Sequence, residues 1–489
     1  MRQLQPRQLQ TGEIDIGSIE LDHRSRDDVP QILIGLQHIY LNAAVRDLVF
    51  SLLEQAIPES ISRTKGRPGM HLWNILVLGV LRLNLGWNYD RLREMANQHI
   101  TIRAMLGHGS YDAHEYKLQT IKDNVSLLTP ELLNRINEVV VAEGHKVIEN
   151  KKEDPLRARC DSYVLETNVH FPTDLNLLWD AVRTVVVLTA RYATNAEISS
   201  WRQWKYNLRQ LKNSYRRVQT LRHSTSKSAD KKIKRQQEVH RACQSYLNAS
   251  EALIYKAEET LKDQAFISTC PVKKVACIQQ FIVHGKRQID QIKRRVLDDE
   301  KIPHDEKVFS LFQPHTEWIN KGKAGVPVEL GVRLAIVEDQ YGFILNHRVM
   351  EKETDEKAAV PIIQSAKAAF PSLSVCSFDK GFHSPFNQCK LPEYLDQVVL
   401  PKKGRRTVAE TDRETSPEFK TAKRQHSAVE SAINALESHG LDKCPDHGIE
   451  GLKRYVALGI LARNIQKLGA ELQKIEQKKA KKRKLRLCG

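Results

Sequence analysis

Apolar residues recur at helical spacing through the first third of the chain. They step by three and four over residues 33–56, and a long apolar segment, HLWNILVLGVLRLNLGW, begins at His71. A short helix is predicted over Tyr89–Gln98, and a tight turn separates it from another short helix. This spacing suits a helix-turn-helix-like domain over residues 31–150. A plain helical bundle explains the same spacing equally well. Residues 1–30 mix charges with few apolar positions and predict a poorly ordered lead-in.

From residue 155 onward the pattern changes to short apolar runs that are typical of strands. Runs at 157–165 and 308–312 predict single strands, and runs at 326–337 and 343–349 predict a hairpin. The elements predicted next are a helix over 356–369, a strand over 373–378, a short strand near 398–400 and a helix over 422–436. This order indicates an α/β layer domain formed by residues 155–190 and 305–470.

A purely helical stretch, over about 190–300, interrupts that α/β domain. From Trp201 and Trp204 onward, apolar residues step alternately by three and four, which is the seam of a coiled coil. The polar segment 223–232 breaks the seam and is long enough to reverse the chain, so we expect an antiparallel hairpin within one subunit. Both tryptophans are expected in its core, and stacking on a nucleic-acid base is the alternative.

Composition adds a strong positive charge to this picture. The 489 residues carry a formal net charge of +17, and the pI is about 9.4. Residues 201–240 hold twelve Lys and Arg against two acids, and the tail 474–489 holds eight against one. Solvated helix faces explain such runs in part. Two separate basic clusters on a basic chain favour contact with the phosphate backbone of a nucleic acid.

The cellular setting is constrained by what the sequence lacks. Its longest apolar run, Ile75–Leu81, is far shorter than a membrane span, and no apolar stretch follows the first basic residues as in a secretory signal. The eight cysteines include no CxxC pair and fit reduced thiols. We therefore expect a cytoplasmic protein, associated with the nucleoid and without a membrane partner.

Three acidic residues have surroundings that suit metal-ion chemistry. Asp161 lies in the first α/β strand, Asp379 directly follows the apolar strand LSVCSF, and Glu430 lies within a helix. Carboxylates are the hard oxygen ligands that Mg²⁺ prefers. A pair of such ions can activate a water or a 3′-hydroxyl for phosphoryl transfer. Taken singly, each acid is more often a cap or a surface residue, and Glu166 and Asp174 are rival ligands in the first block.

The segments around these acids resemble the three acidic blocks of a known enzyme family. They are DSYVLETNVHFPTD from Asp161, FDKGFHS around Asp379 and HSAVESAINALESHGLDKCPDHG around Glu430. They are similar to the blocks of DDE transposases from bacterial insertion sequences, most of all the ISNCY group. Residues 66–107 also resemble that family's helical DNA-end-binding domain, and INKGKAGVPVELG and LPKKGR resemble its linking motifs.

The resemblance implies a multidomain fold, with an all-α N-terminal DNA-binding domain and an α/β RNase H-like catalytic domain interrupted by an all-α insertion. In such a fold the first and fourth strands are adjacent, so Asp161 and Asp379 meet. The family implies that Asp161, Asp379 and Glu430 hold two Mg²⁺ ions, with Mn²⁺ as a substitute. It also implies cleavage at transposon terminal inverted repeats, transfer of the freed 3′-hydroxyl to target DNA, and a homodimer in the synaptic complex.

Basic residues near these motifs are the candidates for DNA contact. They are Lys65, Arg67, Arg91, Arg93, Arg216, Arg217, Lys321, Lys323, Lys402, Lys403, Arg405, Arg406, Lys423 and Arg424. A related pattern places Tyr seven residues before the glutamate, Arg four before it and Lys seven after it. This chain has Lys423, His426 and Glu437 there, so Lys423, Arg424 and His439 become candidates for gripping the terminal phosphates.

Other interpretations remain open. His439, Cys444 and His447 carry metal-capable side chains, although a structural zinc site would need a second paired cluster. The main alternative function is a transposase-derived DNA-binding protein without catalysis. A basic helical scaffold for RNA is a third interpretation, and the chain lacks the aromatic platforms of RNA-binding modules.

Overall fold

The structure, a computed structural model of the chain, describes residues 13–58, 69–109, 112–148, 155–223, 229–320 and 327–487. These residues are mostly helical (65%) and include a mixed sheet of seven strands. They group into two compact units. One contains the described residues up to Asn168 and from Glu317 onward, and the other is Val169–Thr316.

The described residues form eighteen α-helices and seven strands, numbered in chain order. The helices are α1 (Asp28–Leu41), α2 (Ala43–Leu53), α3 (Leu72–Asn84), α4 (Tyr89–Gln98), α5 (Ile100–Met105), α6 (Leu118–Val125), α7 (Pro130–Ile148), α8 (Asp174–Asn195), α9 (Trp204–Arg222), α10 (Ala229–Thr260), α11 (Gln264–Thr269), α12 (Val272–Ile292), α13 (Asp355–Ala369), α14 (Pro385–Lys390), α15 (Val408–Thr415), α16 (Pro417–His426), α17 (Ala428–Leu436) and α18 (Ile449–Leu487). The strands are β1 (Leu156–Thr167), β2 (Glu317–Asn320), β3 (Val328–Asp339), β4 (Ile344–Met350), β5 (Leu373–Phe378), β6 (Gln397–Val399) and β7 (Lys443–Cys444).

Strand β1 lies inside the sheet, whose order is β2-β3-β1-β5-β6, with β4 paired to β3 and β7 to β1. It runs antiparallel to β3 and parallel to β5. Strands β3 and β4 form a hairpin, in which the Asp339 carboxylate accepts the backbone N–H groups of Tyr341 and Phe343 at 2.8 and 2.9 Å. The strands predicted at 157–165, 326–337, 343–349 and 373–378 are confirmed as β1, β3, β4 and β5.

The N-terminal helices share one hydrophobic core with the sheet. The long helix α18 packs on α1, α3 and α7. Gly35 and Gly469 permit the close approach of α1 and α18, because a Cβ at either position would collide with backbone of the facing helix. The described residues between 31 and 148 therefore belong to the same compact unit as the strands, whereas the sequence predicted an N-terminal domain of its own.

A buried polar network reinforces that connection. The Asn464 side chain of α18 donates to Asn137 Oδ1 of α7 at 2.7 Å and to the Ile344 carbonyl of β4 at 2.9 Å. The Ile344 N–H in turn donates to Asn464 Oδ1 at 2.9 Å. Because these polar groups are buried, their mutual hydrogen bonds fix the relative position of α7, β4 and α18.

The lead-in also differs from the prediction within its described part. Ile16 is buried, and Gln37 of α1 donates to the carbonyls of Ile16 and Ile19 at 2.8 and 2.9 Å. Gln473 of α18 donates to the carbonyl of Ser25 at 3.3 Å. Residues 13–30 are thus held by side-chain amides of α1 and α18, which a local sequence pattern does not show.

The second unit is helical and has its own hydrophobic core. Trp201 is 1% exposed and donates to Thr260 Oγ1 at 2.9 Å, while Arg235 donates to the Leu221 carbonyl at 2.9 Å. The Trp201 bond joins the start of the seam to the end of α10. The Arg235 bond joins the start of α10 to the end of α9. These contacts confirm the antiparallel hairpin and the core position of Trp201.

This unit is larger than the predicted insertion, because α8 belongs to it. Helix α8 packs on α12, and Asp174 in its first turn accepts a hydrogen bond from Arg295 at 2.6 Å. The strand predicted at 308–312 is wrong, since no strand forms there. Leu311 of that run is buried in the helical core, which satisfies its apolar character without strand pairing.

The helix predicted over 422–436 is divided in two. Helix α16 ends at His426 and α17 begins at Ala428. Between them the Ser427 hydroxyl donates to the Arg424 carbonyl at 2.8 Å, a local bond that competes with the regular helix. The break gives Glu430 a place in the first turn of α17.

Candidate active site

The register of two parallel strands places the first two predicted acids side by side. In the β1–β5 ladder Cys160 pairs with Phe378, and Asp161 and Asp379 are the next residues on each chain. Asp161 continues along β1, opposite Ile336 of β3, while Asp379 begins the loop after β5. The adjacency expected from the resemblance is therefore present in the sheet.

Asp161 is largely buried, and its carboxylate accepts the backbone N–H of Ser162 at 2.7 Å. Burial raises the pKa of Asp161 to about 6. The Ser162 hydrogen bond opposes that shift, and the negative charges of Asp379, Asp355 and Glu430 add to it. The site thus places three further carboxylates close enough for their charges to act on Asp161.

Asp379 and Glu430 are exposed members of this group. The Asp379 side chain accepts the Gly381 N–H at 3.1 Å, which caps the single turn of helix after β5. Glu430 is held by the packing of α17, in which Val429 and Leu436 are buried. Both carboxylates therefore face solvent while their backbones are anchored to the core.

Asp355 is the member that the sequence did not predict. It lies at the start of α13, and its Oδ1 accepts the Ser162 hydroxyl at 2.7 Å. A Cβ on Gly381 would lie 3.0 Å from Asp355 Oδ2 and 3.5 Å from Asp379 Oδ2. Ser162 thus links Asp355 to Asp161, and Gly381 leaves the space between Asp355 and Asp379 open. We define Asp161, Asp355, Asp379 and Glu430 as the carboxylate cluster.

His426 borders the carboxylate cluster from the end of α16. Its Nδ1 lies 3.0 Å from the Ser377 hydroxyl, and its Nε2 is buried without a hydrogen-bond partner among the described residues. Burial lowers the pKa of His426, while the charges of Asp379 and Glu430 act in the opposite direction. His426 stands four residues before Glu430, at the position where the related pattern has Arg.

The carboxylate cluster has the chemistry of a divalent-cation site. As the side chains stand, no three His, Cys, Asp or Glu residues of the described chain are placed to hold a metal ion. The donors are nevertheless all hard oxygens, and the neighbouring charges that act most on Asp161 are all carboxylates. Burial raises this pKa most and repulsion between the carboxylates adds to it, and a bound cation would offset both by stabilising the ionised form, so the residues fit Mg²⁺ in charge and donor type.

The predicted DNA-contacting residues differ in their exposure and in whether a neighbouring acid already pairs with them. Lys402 donates to Glu410 at 2.6 Å, and Arg406 pairs with Glu414 at 2.9 Å, so local acids neutralise both. The exposed ones are Arg91 and Arg93 on α4, Arg216 and Arg217 on α9, Lys403 and Arg405 around Gly404, and Lys423 and Arg424 on α16. Lys65, Arg67, Lys321 and Lys323 lie outside the described residues.

The zinc interpretation finds no support in the described chain. His439 Nδ1 bonds the Asn84 carbonyl, and the Cys444 thiol is buried and donates to the Asp446 carbonyl. These contacts hold the segment after α17 against α3, so His439 acts there as a packing residue. Glu166, the rival ligand, is an odd number of residues from Asp161 and so lies on the opposite face of β1.

Comparisons with protein-family models, curated proteins and solved structures gave no match to this chain. Within the part of the chain that the structure describes, none of the helices combines the length and the apolar character of a membrane span.

Proposed function

We propose that this chain is a DDE-type DNA transposase with an RNase H-like catalytic domain. The observation that carries the proposal is the adjacency of Asp161 and Asp379 on the parallel strands β1 and β5, with Glu430 close enough for its charge to act on Asp161. The parallel β1–β5 pair beside the antiparallel β1–β3–β4 strands supports the RNase H-like assignment.

In this proposal Asp161, Asp379 and Glu430 would hold two Mg²⁺ ions, or Mn²⁺ in their place, and Asp355 would add negative charge beside them. Such ions supply an activated oxygen nucleophile and stabilise the leaving oxygen in phosphoryl transfer. The reaction class is hydrolysis of a phosphodiester at each transposon end, which frees a 3′-hydroxyl. That hydroxyl then attacks a target phosphodiester and displaces its 3′-oxygen.

The chain's own residues would position the DNA. Asp379 and Glu430 are exposed, so a strand can reach them, whereas Asp161 is fixed within the sheet by Ser162. Lys423 and Arg424 are exposed on α16, the helix that ends four residues before Glu430. We assign them to backbone phosphates near the cleaved bond. The protein would act in the cytoplasm on nucleoid DNA, as a homodimer that joins two terminal inverted repeats to a target.

The test uses the full chain and DNA that carries the borders of its own gene, where inverted repeats are expected. Cleavage should require Mg²⁺ or Mn²⁺ and stop with EDTA. Asp379→Asn keeps the side-chain shape and removes a charge, so it should lower cleavage by roughly 10⁴-fold while retaining end binding. Asp396→Asn, an exposed aspartate before β6, is the matched control and should cleave normally.

The alternative function, a transposase-derived DNA-binding protein, makes the opposite prediction. Such a protein would bind the terminal repeats as tightly as a transposase does. It would leave them intact at every concentration of Mg²⁺ or Mn²⁺. Cleavage by Asp379→Asn at the rate of the unmodified chain would reject the assignment of the carboxylate cluster.

A further inference from the structure

A cavity of about 480 Å³ lies beneath α16, on the face of the sheet that carries Asp161. Arg157 and Arg159 of β1 contribute to its floor, since residues two and four positions from Asp161 share its face of the strand. Val375 and Ser377 of the neighbouring β5 complete the floor, and α16 forms the roof. Its volume lies within the range of small-molecule sites in proteins.

Several polar groups around this cavity are available to a ligand. Among the described residues, the side chains of Arg157, Gln397, Gln425 and Glu418 make no hydrogen bond or ion pair. Arg159 is different, because its guanidinium already donates to Glu338 at 3.0 Å. Within the described chain, the cavity thus offers one free cation, one free carboxylate and two free carboxamides.

These groups match the parts of a nucleotide. A guanidinium binds phosphate with paired N–H donors. Carboxamides present a donor and an acceptor together, as does the edge of a nucleobase, and a carboxylate accepts from an exocyclic amino group. Val375, Pro417 and Ala422 provide apolar surface for the face of a planar ring.

We propose that this cavity binds one nucleotide of the DNA strand that crosses the carboxylate cluster. Its phosphate lies on Arg157 and its base edge meets Gln397, Gln425 and Glu418. The inference rests on the proposed function and adds a substrate subsite to it. Because Glu418 needs a donor, bases with an amino group, adenine, cytosine and guanine, are preferred to thymine.

The position of the cavity suits a nucleotide close to the cleaved bond. Arg159 and Arg157 lie about 7 and 13 Å from Asp161 along β1, at ~3.3 Å per residue. A stacked strand rises ~3.4 Å per nucleotide, so these distances correspond to roughly two to four nucleotides. A base that contacts Gln397, Gln425 and Glu418 in this cavity has left its stack, so the site favours single-stranded or frayed DNA.

Isothermal titration of the full-length chain with dAMP, dCMP, dGMP and dTMP, all with EDTA, tests the proposal. Deoxyadenosine and inorganic phosphate are the comparison ligands. We expect dAMP and dCMP to bind at least tenfold more tightly than dTMP or inorganic phosphate. Arg157→Ala should weaken dAMP binding tenfold or more, and Gln425→Ala should weaken it severalfold. Lys420→Ala, an exposed position on the same helix outside the cavity, should leave it unchanged.

Ala422→Phe provides a second variant that fills the cavity from its roof. It should abolish nucleotide binding while far-ultraviolet circular dichroism stays unchanged. Three results would overturn the proposal: no mononucleotide binding at millimolar concentration, equal affinity for inorganic phosphate and dAMP, or unchanged dAMP affinity in Ala422→Phe.

The same variants separate this inference from the proposed function. Asp161→Asn should lose DNA cleavage and keep dAMP binding, because its side chain is not part of the cavity lining. A chain that binds dAMP through Arg157 and cleaves no terminal DNA would reject the transposase proposal and retain the nucleotide site. A chain that cleaves terminal DNA with Ala422→Phe at the normal rate, and binds no mononucleotide, would reject only the nucleotide site.

Discussion

At Asp161 a carboxylate stands within a strand that is paired on both sides, where burial and neighbouring acids raise its pKa to about 6. An acid whose pKa is higher in the folded chain than in the unfolded chain binds its proton more tightly when folded. The folded state therefore gains stability as pH falls through about 6 towards 4. Above pH 6 and without a cation, the ionised cluster costs free energy of folding.

The first prediction follows from this destabilising effect of the ionised carboxylates. Without divalent ions at pH 7.5, Asp161→Asn should raise the free energy of unfolding by up to about 3 kcal/mol, because the amide carries no charge. The advantage should shrink as pH falls through 6 and vanish near pH 4. Urea unfolding at several pH values measures it, with Asp396→Asn as the control. A difference that does not change with pH would contradict the assigned pKa.

Asp355 gives the second prediction. Asp355→Asn keeps an oxygen that accepts the Ser162 hydroxyl, so the fold should persist while the cluster loses a charge. We expect cleavage to fall by about 10- to 100-fold, the usual effect of a residue that supports metal ligands. Mn²⁺ affinity, measured by titration of the purified variant, should fall as well. Glu356→Gln, the exposed neighbour on α13, is the control, and unchanged Mn²⁺ affinity in Asp355→Asn would reject the role.

The sequence could identify Asp161, Asp379 and Glu430 because each lies in a recognisable motif. It could not identify Asp355, because an acid in the first turn of a helix is common for its favourable interaction with the helix dipole. Its partner Ser162 is 193 residues away, so only the packing of α13 beside β1 reveals the contact. The ion pairs of Lys402 and Arg406 could not be predicted from the sequence either. Their pairing with Glu410 and Glu414 depends on how α15 folds back on the loop.

At the scale of elements, strong local patterns were sufficient for β1, β3, β4 and β5, in which apolar runs end at turn residues. The run at 308–312 satisfied the same rule and forms no strand. A short apolar run indicates that its residues are buried but does not indicate which element covers them. Leu311 is buried against helices instead of pairing in a sheet. The seam after Trp201 was more informative, because a repeat over several turns specifies a packed helix.

The third prediction concerns the charge of the α9–α10 hairpin. Arg216, Arg217, Lys231, Lys232 and Lys234 are exposed. Replacing these five with Gln should preserve folding and weaken DNA binding. The slope of log affinity against log salt should fall by up to ~0.9 for each phosphate that the protein no longer neutralises. An unchanged slope would show that this charge serves only solvation.

Arg235 supplies the contrast for that experiment, because its guanidinium donates to the Leu221 carbonyl at the end of α9. Arg235→Gln should lower the thermal stability of the hairpin more than it lowers DNA affinity. The structure thus gives Arg235 a contact within the hairpin that the five exposed residues lack.

At the scale of the whole first unit, long-range contacts decide the architecture. Local pattern made residues 31–150 look like a separate domain, but α1, α3 and α7 pack on α18, more than 300 residues later in the chain. Neither a heptad seam nor a turn motif marks such a contact. Arg82 is the clearest case, because it is the single basic residue of the mostly apolar helix α3 and its partner, Asp446, lies far along the chain.

The last prediction tests whether these distant segments fold as one. Arg82 is 4% exposed and donates to both Asp446 carboxylate oxygens, at 2.7 and 3.2 Å, and its guanidinium lies 3.9 Å from the centre of the Tyr89 ring. Asp446→Asn leaves this buried charge uncompensated and should lower the free energy of unfolding by about 3–5 kcal/mol. Arg82→Met combined with Asp446→Leu removes both charges and should restore most of that loss.

Hydrogen exchange locates the effect. If α3 and the sheet unfold cooperatively, Asp446→Asn should lower the protection of amides in α3 and in β1 by the same amount. Glu259→Gln, which breaks an exposed pair with Lys262 in the second unit, is the control and should leave the free energy of unfolding nearly unchanged, because water screens such a pair. Loss of protection in α3 with none in β1 would mean that the N-terminal helices unfold independently. The autonomous DNA-binding domain expected from the sequence would then be a folding unit after all.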